Sequence, residues 1–177
     1  MEDDETFYSK KVAPPFPQEF SLPNPIIKYI TENPTMPIAY YKLINCCKFF
    51  YYKNHIIVAH FVQNHDYNWE VWALGAGWSG FDAPRIDLEN FPCKLWIQNR
   101  VRCYEETEVK EIIPKIYRCD AYSLHLEEQE ISFKDFLFLS MSVKNLEFRY
   151  VQIRYADGTP VMLETILENL KNLKTFK

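Results

Sequence analysis

Three glycines stand at the spacing of a dinucleotide-binding fingerprint. Gly75, Gly77 and Gly80 spell G-x-G-x-x-G within "EVWALGAGWSGFDAPR". A dinucleotide site needs these glycines between a strand and a helix, so that the N–H groups of the helix start meet the pyrophosphate. Pro84, soon after Gly80, opposes a helix at that place. The stretch is therefore interpreted as a glycine-rich surface turn, and no cofactor is expected.

Serine and carboxylate chemistry are also disfavoured. Ser79 lacks the G-x-S-x-G pattern of a nucleophile elbow, because Phe81 stands where the second glycine is required. Two acidic clusters, "YEETEVKE" and "HLEEQE", have no partner placed across a cleft and resemble a solvated face. Their paired acids are expected on the surface: Glu105, Glu106, Glu127 and Glu128. The chain is predicted to be non-catalytic.

The histidines and the adjacent cysteines suggest a metal site only weakly. His55, His60 and His65 are five residues apart, which places them on different sides of either a helix or a strand. Cys46 and Cys47 could add ligands only through a fold that brings them to those histidines. Scattered histidines are the favoured interpretation, and no metal is expected.

Composition bounds the class of protein. The chain has 177 residues with 47% hydrophobic content, enough to bury a core, and a formal net charge of −4 with scattered basic residues. Nucleic acid is therefore not an expected partner. The acidic start "MEDDETFYSKK" is unlike a signal peptide, and no apolar run approaches a membrane span. An odd number of cysteines without a C-x-x-C pair favours a reducing compartment, cytoplasmic or nuclear, with the thiols as small buried apolar groups: Cys46, Cys47, Cys93, Cys103 and Cys119.

The first third of the chain predicts a leader and two helices. Residues 1–21 are acidic and then proline-rich, which is typical of a mobile leader. Asn24 is a candidate N-cap before Pro25 and a short helix that "NP" ends. A longer amphipathic helix is expected to restart near Thr35 and to run to Tyr51, because apolar residues recur at the 3.6-residue period.

The second half predicts alternating strands and helices. Strand-like pieces with an L-x-Φ core, Φ being a large apolar residue, recur about every 20 to 29 residues, the interval of leucine-rich repeats. Parallel strands of such an array line one side and helices the other. The pieces are "KLWIQ" (Leu95, Ile97), "SLHLE" (Leu124, Leu126), "NLEFR" (Leu146, Phe148) and "NLKTFK" (Leu173).

Apolar stripes between these pieces predict three connecting helices, each with its stripe in the core. The first carries Val109, Ile112, Ile113 and Ile116, with Pro114 marking a kink or a restart. The second is capped by Ser132, with Asp135 completing a weakened capping box, and carries Phe133, Phe136 and Leu137. The third opens at Thr159 and Pro160 and carries Leu163, Ile166, Leu167 and Leu170.

These observations predict an α/β fold, α+β overall, in four parts. The leader at 1–21 is followed by a helical segment at 22–60, a connecting segment with the glycine loop at 61–92, and a repeat region at 93–177. Trp69, Trp72 and Trp78 cluster around the glycine loop. They either cover the junction between the two halves or form a contact surface, and their spacing does not decide between these roles.

The helical segment resembles an F-box, the motif that begins with Leu-Pro and an apolar helix and ends in a helix carrying leucine, cysteine or valine, a basic residue and an aromatic one. Asn24-Pro25 departs from the acidic residue common there, and two prolines interrupt the linker. Together with the second half, the segment is similar to a divergent F-box-like family with degenerate leucine-rich repeats, expanded in roundworms. The matching residues, with Phe50 as an extra anchor, are Leu22, Pro23, Ile26, Ile27, Ile30, Leu43, Cys47, Lys48 and Phe49.

This resemblance implies a substrate receptor of an SCF-type (cullin-RING) ubiquitin ligase. The matching residues other than Lys48 would bind the Skp-family adaptor, and the repeats would hold a target protein. A scaffold with repeats and no ligase role remains the alternative, and a nucleotide-using enzyme is a third. Target-binding residues are expected at exposed positions of the parallel strands: His125, Glu127, Glu147 and Arg149.

Overall fold

A mostly parallel sheet organises the chain. The computed structural model describes residues 19–65, 67–74, 85–86, 88, 90–105 and 107–177. Helices and strands mix along this part, and eight strands form the main sheet. The expected α/β class is confirmed at this level, and the predicted leader up to residue 18 lies outside the described residues.

Three short helices precede the sheet: α1 (Asn24–Glu32), α2 (Pro37–Cys46) and α3 (Lys48–Asn54). Pro23, not Asn24, is the N-cap of α1, and no side chain caps the helix. The prediction of one long helix up to Tyr51 is wrong, because Cys47 has an extended backbone with φ −149° and ψ 116°. The break lets Tyr40 of α2 pack against Trp96 in the sheet while Phe50 of α3 packs against Phe20.

A strand replaces the expected end of the helical segment. β1 (Ile56–His65) forms an antiparallel hairpin with β2 (Asn68–Ala73), and β3 (Arg85–Ile86) extends that edge. The predicted helical segment at 22–60 is therefore too long, and its boundary falls inside β1. Consecutive β-branched residues in "IIV" favour a strand over a helix because their side chains are stiff at χ1.

The four L-x-Φ segments contain or adjoin parallel neighbouring strands: β4 (Lys94–Cys103), β6 (Ser123–Glu127), β8 (Asn145–Arg149) and β10 (Thr175–Phe176). In β4, the residue that pairs with the next strand lies outside the L-x-Φ piece "KLWIQ". Leu124 pairs with Val101, whereas Leu95 pairs with Ile116 of β5 (Ile116–Cys119). β4 is long enough to serve two neighbours, so its first half meets β5 and its second half meets β6.

The connections between these strands follow the prediction in two of three places. The helix expected from Val109 is wrong: two 3-10 turns (Val109–Glu111 and Ile113–Lys115) lead into β5. α4 (Phe133–Ser140) begins as expected, with Ser132 Oγ accepting a hydrogen bond from the Asp135 N–H at 3.1 Å. α5 (Leu163–Asn169) begins after Pro160, which instead bridges to Arg154. β7 (Glu130–Ser132) and β9 (Gln152–Arg154) form a second, small parallel sheet.

The main sheet has an apolar layer on each face. One face carries the larger core, in which Val101, Leu124 and Leu146 pack with residues of α4 and α5 such as Phe136 and Ile166. The opposite face carries a smaller cluster beneath α2: Tyr40, Ile56, Val58 and Trp96. The prediction that the whole α5 stripe is core is wrong for Leu163 and Leu167, which are 48% and 40% exposed.

Two buried amides hold the chain where β4 ends. Asn64 of β1 accepts a hydrogen bond from the Tyr104 N–H at 2.6 Å and donates to the Tyr104 carbonyl at 3.2 Å. Gln129 accepts from the Val109 N–H at 2.8 Å and donates to the carbonyls of Tyr104, Thr107 and Glu127 at 3.0 to 3.1 Å. These bonds satisfy backbone groups that no strand or helix ladder can reach.

We expect Gln129→Leu to lower the free energy of unfolding by roughly 3 kcal/mol, because the buried Val109 N–H loses its acceptor and the carbonyls of Tyr104, Thr107 and Glu127 each lose one donor. Gln152→Leu is the matched control: Gln152 is exposed and bonds to Arg154 at the surface, so its loss should change stability by less than about 1 kcal/mol. Urea unfolding measures both. Equal unfolding midpoints would contradict the role assigned to Gln129.

Candidate functional site

A row of polar side chains crosses the sheet on the face opposite the larger core. Because side chains alternate along a strand, Arg102 lies on the other face from its buried neighbours Val101 and Cys103. Strand pairing places Arg102 beside His125, and His125 beside Glu147. On its other side Arg102 pairs with Gln63, which donates a hydrogen bond to Glu70 at 2.9 Å. This row is the candidate binding face.

The four predicted target-binding residues form one connected network on this face. His125 Nδ1 lies 3.1 Å from Glu147 Oε2, and its Nε2 lies 3.5 Å from Glu127 Oε2. Arg149 completes the network, since its Nη1 is 3.6 Å from Glu127 Oε1 and its Nη2 is 3.3 Å from Glu147 Oε1. The structure therefore brings all four together.

Exposure within this network differs from the prediction. Arg149 is exposed and the two glutamates are half-buried, but His125 is only 8% exposed, so its assignment as an exposed residue is wrong. The Tyr104 ring, 5.5 Å away, packs against the imidazole. His125 is thus placed to hold Glu127 and Glu147 in position, and a partner would meet the outer carboxylates and Arg149.

Hydrogen bonding within the network lowers the pKa of one carboxyl group. The hydrogen bond from His125 is the main cause that lowers the pKa of Glu147, and the charges of His125, Arg149 and Lys177 act in the same direction. The Glu147 carboxylate is therefore better stabilised in its charged form when the chain is folded.

The neighbouring half of the face carries a second cluster that the sequence interpretation missed. The arginine–aromatic patch consists of Phe61, Trp72, Arg100, Arg102 and Tyr104. The Phe61 and Trp72 rings stack at 4.7 Å, and both guanidinium groups lie over Phe61, at 5.7 and 5.9 Å from its centroid. Arg102 also lies 5.9 Å from the Tyr104 centroid. The alternation "RVRCY" signals this patch once Val101 and Cys103 are known to face the core.

The tryptophans divide between core and surface. Trp69 is buried in the larger core, whereas Trp72 is half-buried on the arginine–aromatic patch. Trp78 lies outside the described residues, as do Gly75, Gly77 and Gly80 and the neighbouring Ser79. The two roles left open by the spacing are thus both present, since one tryptophan packs in the core and another lies on a candidate contact surface.

The predicted adaptor-binding residues separate into exposed and packed sets. Leu22 and Ile26 are each 46% exposed and Pro23 is exposed, so they lie at the surface beside α1. Ile27 and Phe50 are buried and pack the helices together. The remaining four are partly buried: Ile30, Leu43, Cys47 and Phe49.

The thiols of the sheet are structural. Cys93, Cys103 and Cys119 are buried, as expected, but Cys46 is exposed and Cys47 half-buried, so the expectation of burial is wrong for that pair. Burial raises the pKa of Cys93 and raises the pKa of Cys119 to about 12. Both thiols therefore stay protonated, which makes them poor nucleophiles.

The histidines of the first strand are dispersed. His55 is exposed at the end of α3, and His60 Nε2 lies 3.0 Å from Asn99 Nδ2. Within the described residues, no group of three or more side chains is arranged to hold a metal ion. In the same residues no helix has the length and apolar character to cross a membrane.

Comparisons with known proteins found no match to this chain. The sequence matches no protein-family model and no curated protein, and the fold matches no solved structure.

We expect Glu147→Gln to flatten the acid limb of the stability profile. A carboxylate whose native pKa is lowered adds stability above its ordinary pKa, near 4.5, and this stability is lost as pH falls through the native value. Urea unfolding midpoints measured from about pH 6 to about pH 3 should therefore fall less steeply in the variant. Glu164→Gln, an exposed carboxylate on α5, is the control and should keep the wild-type slope. Parallel slopes in wild type and Glu147→Gln would contradict the pairing with His125.

Proposed function

We propose that the chain is a non-catalytic substrate receptor of an SCF-type (cullin-RING) ubiquitin ligase. In this proposal the three-helix segment formed by α1, α2 and α3 docks on the Skp-family adaptor. The candidate binding face of the sheet holds the target protein. The two surfaces belong to different elements, so one chain can bind both partners.

The exposed apolar side of α1 carries the proposal. Leu22 and Ile26 lie half exposed there, and Tyr29 on the same helix is 65% exposed. Ile27, on the other side, anchors the helix to the rest of the segment. Adjacent large apolar groups left at the surface of a small protein are typical of a protein contact. A helix with one buried and one exposed apolar side suits docking in a partner's groove.

Burial refines the set of adaptor-binding residues. Leu22, Pro23 and Ile26 can touch an adaptor directly, whereas Ile27 and Phe50 support the docking helix from beneath. Phe49 lies between these roles, because its ring packs edge-on against Phe20 at 5.1 Å while its side chain stays partly accessible.

The arrangement of the second half supports the leucine-rich-repeat-like interpretation. Val101, Leu124 and Leu146 stand side by side in register, at intervals within the roughly 20 to 29 residues of such repeats. α4 and α5 connect successive parallel strands and pack on one face of the sheet. The face of the strands opposite these helices is the surface such arrays use for binding.

Co-expression with a Skp-family adaptor, followed by size exclusion, tests the proposal. Wild type should elute as a 1:1 complex, and Leu22→Glu/Ile26→Glu should elute alone, because two buried charges at the contact lack partners. Met141→Glu/Met162→Glu changes two exposed apolar residues of the second half and should leave the complex intact. Circular dichroism checks that each variant is folded.

A wild-type chain that elutes alone and well folded would overturn the ligase role. The sheet face would then belong to an interaction scaffold without an adaptor contact. Loss of the complex in the Met141→Glu/Met162→Glu control would place the docking surface outside α1. Nicotinamide and adenine nucleotides address the enzyme alternative, since a ligand bound to the native state raises the melting temperature.

A further inference from the structure

The arginine–aromatic patch leaves two positive charges uncompensated. Within the described part of the chain, neither Arg100 nor Arg102 forms an ion pair; both lie over Phe61 instead. The Nε of Arg102 is buried there without a hydrogen-bond partner. A buried unsatisfied donor lowers stability, and two guanidinium groups beside one ring repel each other. An anion bound by the two guanidinium groups would offset their repulsion.

The other half of the face does not offer such a site. Glu127 and Glu147 are paired with Arg149 at 3.3 to 3.6 Å and lie 3.1 to 3.5 Å from the ring nitrogens of His125. An incoming carboxylate would meet Glu127 and Glu147 before it reached a free cation. The attraction for anions is therefore confined to β4 and its aromatic neighbours.

We propose that the arginine–aromatic patch binds an extended acidic peptide segment whose carboxylates at positions i and i+2 pair with Arg100 and Arg102. This inference rests on the target-binding role of the sheet face and names the chemistry of the target. It does not depend on the adaptor contact.

Strand geometry sets the spacing of the two acids. Arg100 and Arg102 are alternate residues of β4 on one face, so their Cα atoms are about 6.5 to 7 Å apart. Alternate residues of an extended peptide have the same separation. Each guanidinium can donate two parallel N–H···O bonds to a carboxylate, so two acids at this spacing make more contacts than one acid does.

The stacked rings provide the apolar part of the site. Trp72 and Phe61 lie side by side at 4.7 Å next to the two arginines, and both are half-buried. Tryptophan, tyrosine and arginine are the residue types that dominate binding energy in protein interfaces. An aromatic or large aliphatic residue beside the acidic pair of the peptide would cover this surface.

Charge distribution favours a peptide over a nucleic acid. A nucleic acid strand carries a phosphate at every residue and needs a continuous basic track. Here the two arginines are flanked on the same face by Glu70 on one side and by Glu127 and Glu147 on the other. The chain as a whole has a formal charge of −4. A short acidic segment satisfies the arginines without extending over those carboxylates.

Fluorescence anisotropy with a labelled peptide tests the proposal. The probe holds Glu-Ser-Glu followed by tryptophan, and its control replaces both glutamates by glutamine. Wild-type chain should bind the Glu peptide at least about tenfold more tightly, because charge-assisted pairs are lost in the control. Raising the salt from about 50 to about 300 mM should weaken the Glu peptide selectively. Equal binding of the two peptides would overturn the proposal without any change to the protein.

Variants locate the contact. Arg100→Gln and Arg102→Gln should each weaken the Glu peptide about tenfold and bring it toward the Gln peptide. Arg100→Lys/Arg102→Lys keeps both charges but removes the planar guanidinium groups that bind a carboxylate through two hydrogen bonds. Its affinity for the Glu peptide should therefore lie between that of wild type and that of the Gln variants. Arg154→Gln is the matched control, since Arg154 lies on β9 and pairs with Glu130 at 3.2 Å. Unchanged affinity in both arginine variants would overturn the proposal, as would Arg-dependent binding of a single-stranded oligonucleotide that is tighter than the Glu peptide.

Adaptor binding and peptide binding, measured separately, distinguish the two proposals. Arg100→Gln/Arg102→Gln should lose the peptide and still co-elute with the adaptor. An adaptor complex that forms while wild type binds no Glu peptide overturns only the peptide inference. Arg-dependent peptide binding by a chain that never joins an adaptor overturns the ligase role and keeps the peptide site, then as part of an interaction scaffold.

Discussion

The fold depends on hydrogen-bond partners for the backbone groups at the end of β4, where the chain leaves the sheet. At Tyr104 the chain turns away between two strands, and no ladder is available to its N–H and carbonyl groups. Asn64 from β1 and Gln129 from the loop after β6 supply those partners from the protein interior. One set of amide hydrogen bonds thereby ties together strands distant in sequence. It also positions Tyr104, whose ring packs against both His125 and Arg102.

The two faces of the sheet differ, because one carries the larger core and the other carries the candidate binding face. One face is covered by α4 and α5, and α2 packs on the other face around Trp96, through Tyr40 and the neighbouring Tyr41 and Ile44. Tyr40 is only 1% exposed there, and this burial raises the pKa of its hydroxyl to about 12. Beyond α2, polar and charged side chains line the strands. The larger core lies on the opposite face, so the main burial of apolar surface does not depend on that area.

Local patterns predicted the strands around Leu124 and Leu146 and the cap at Ser132. Those features follow from alternation and capping within a few residues. The register of β4 did not follow, because Leu95 and Val101 both fit an alternating strand and only long-range pairing with β5 and β6 decides between them. The same long-range pairing decides which side chains Arg100 and Arg102 meet, so the sequence did not identify them as part of a patch. The amides of Asn64 and Gln129 have no sequence signal, since their partners are backbone groups up to 40 residues away.

The contrast between the two halves of the binding face bears on specificity. Arg149 is held by two glutamates, so using it to bind an acid would require breaking existing ion pairs. Arg100 and Arg102 are held by aromatic rings, which fix the guanidinium groups without neutralising them. The glutamates beside them repel acids that lie out of position. In the proposed peptide complex, the acidic residues of the partner are thereby restricted to β4, and the register of the peptide along the sheet is set by repulsion on one side as much as by attraction on the other.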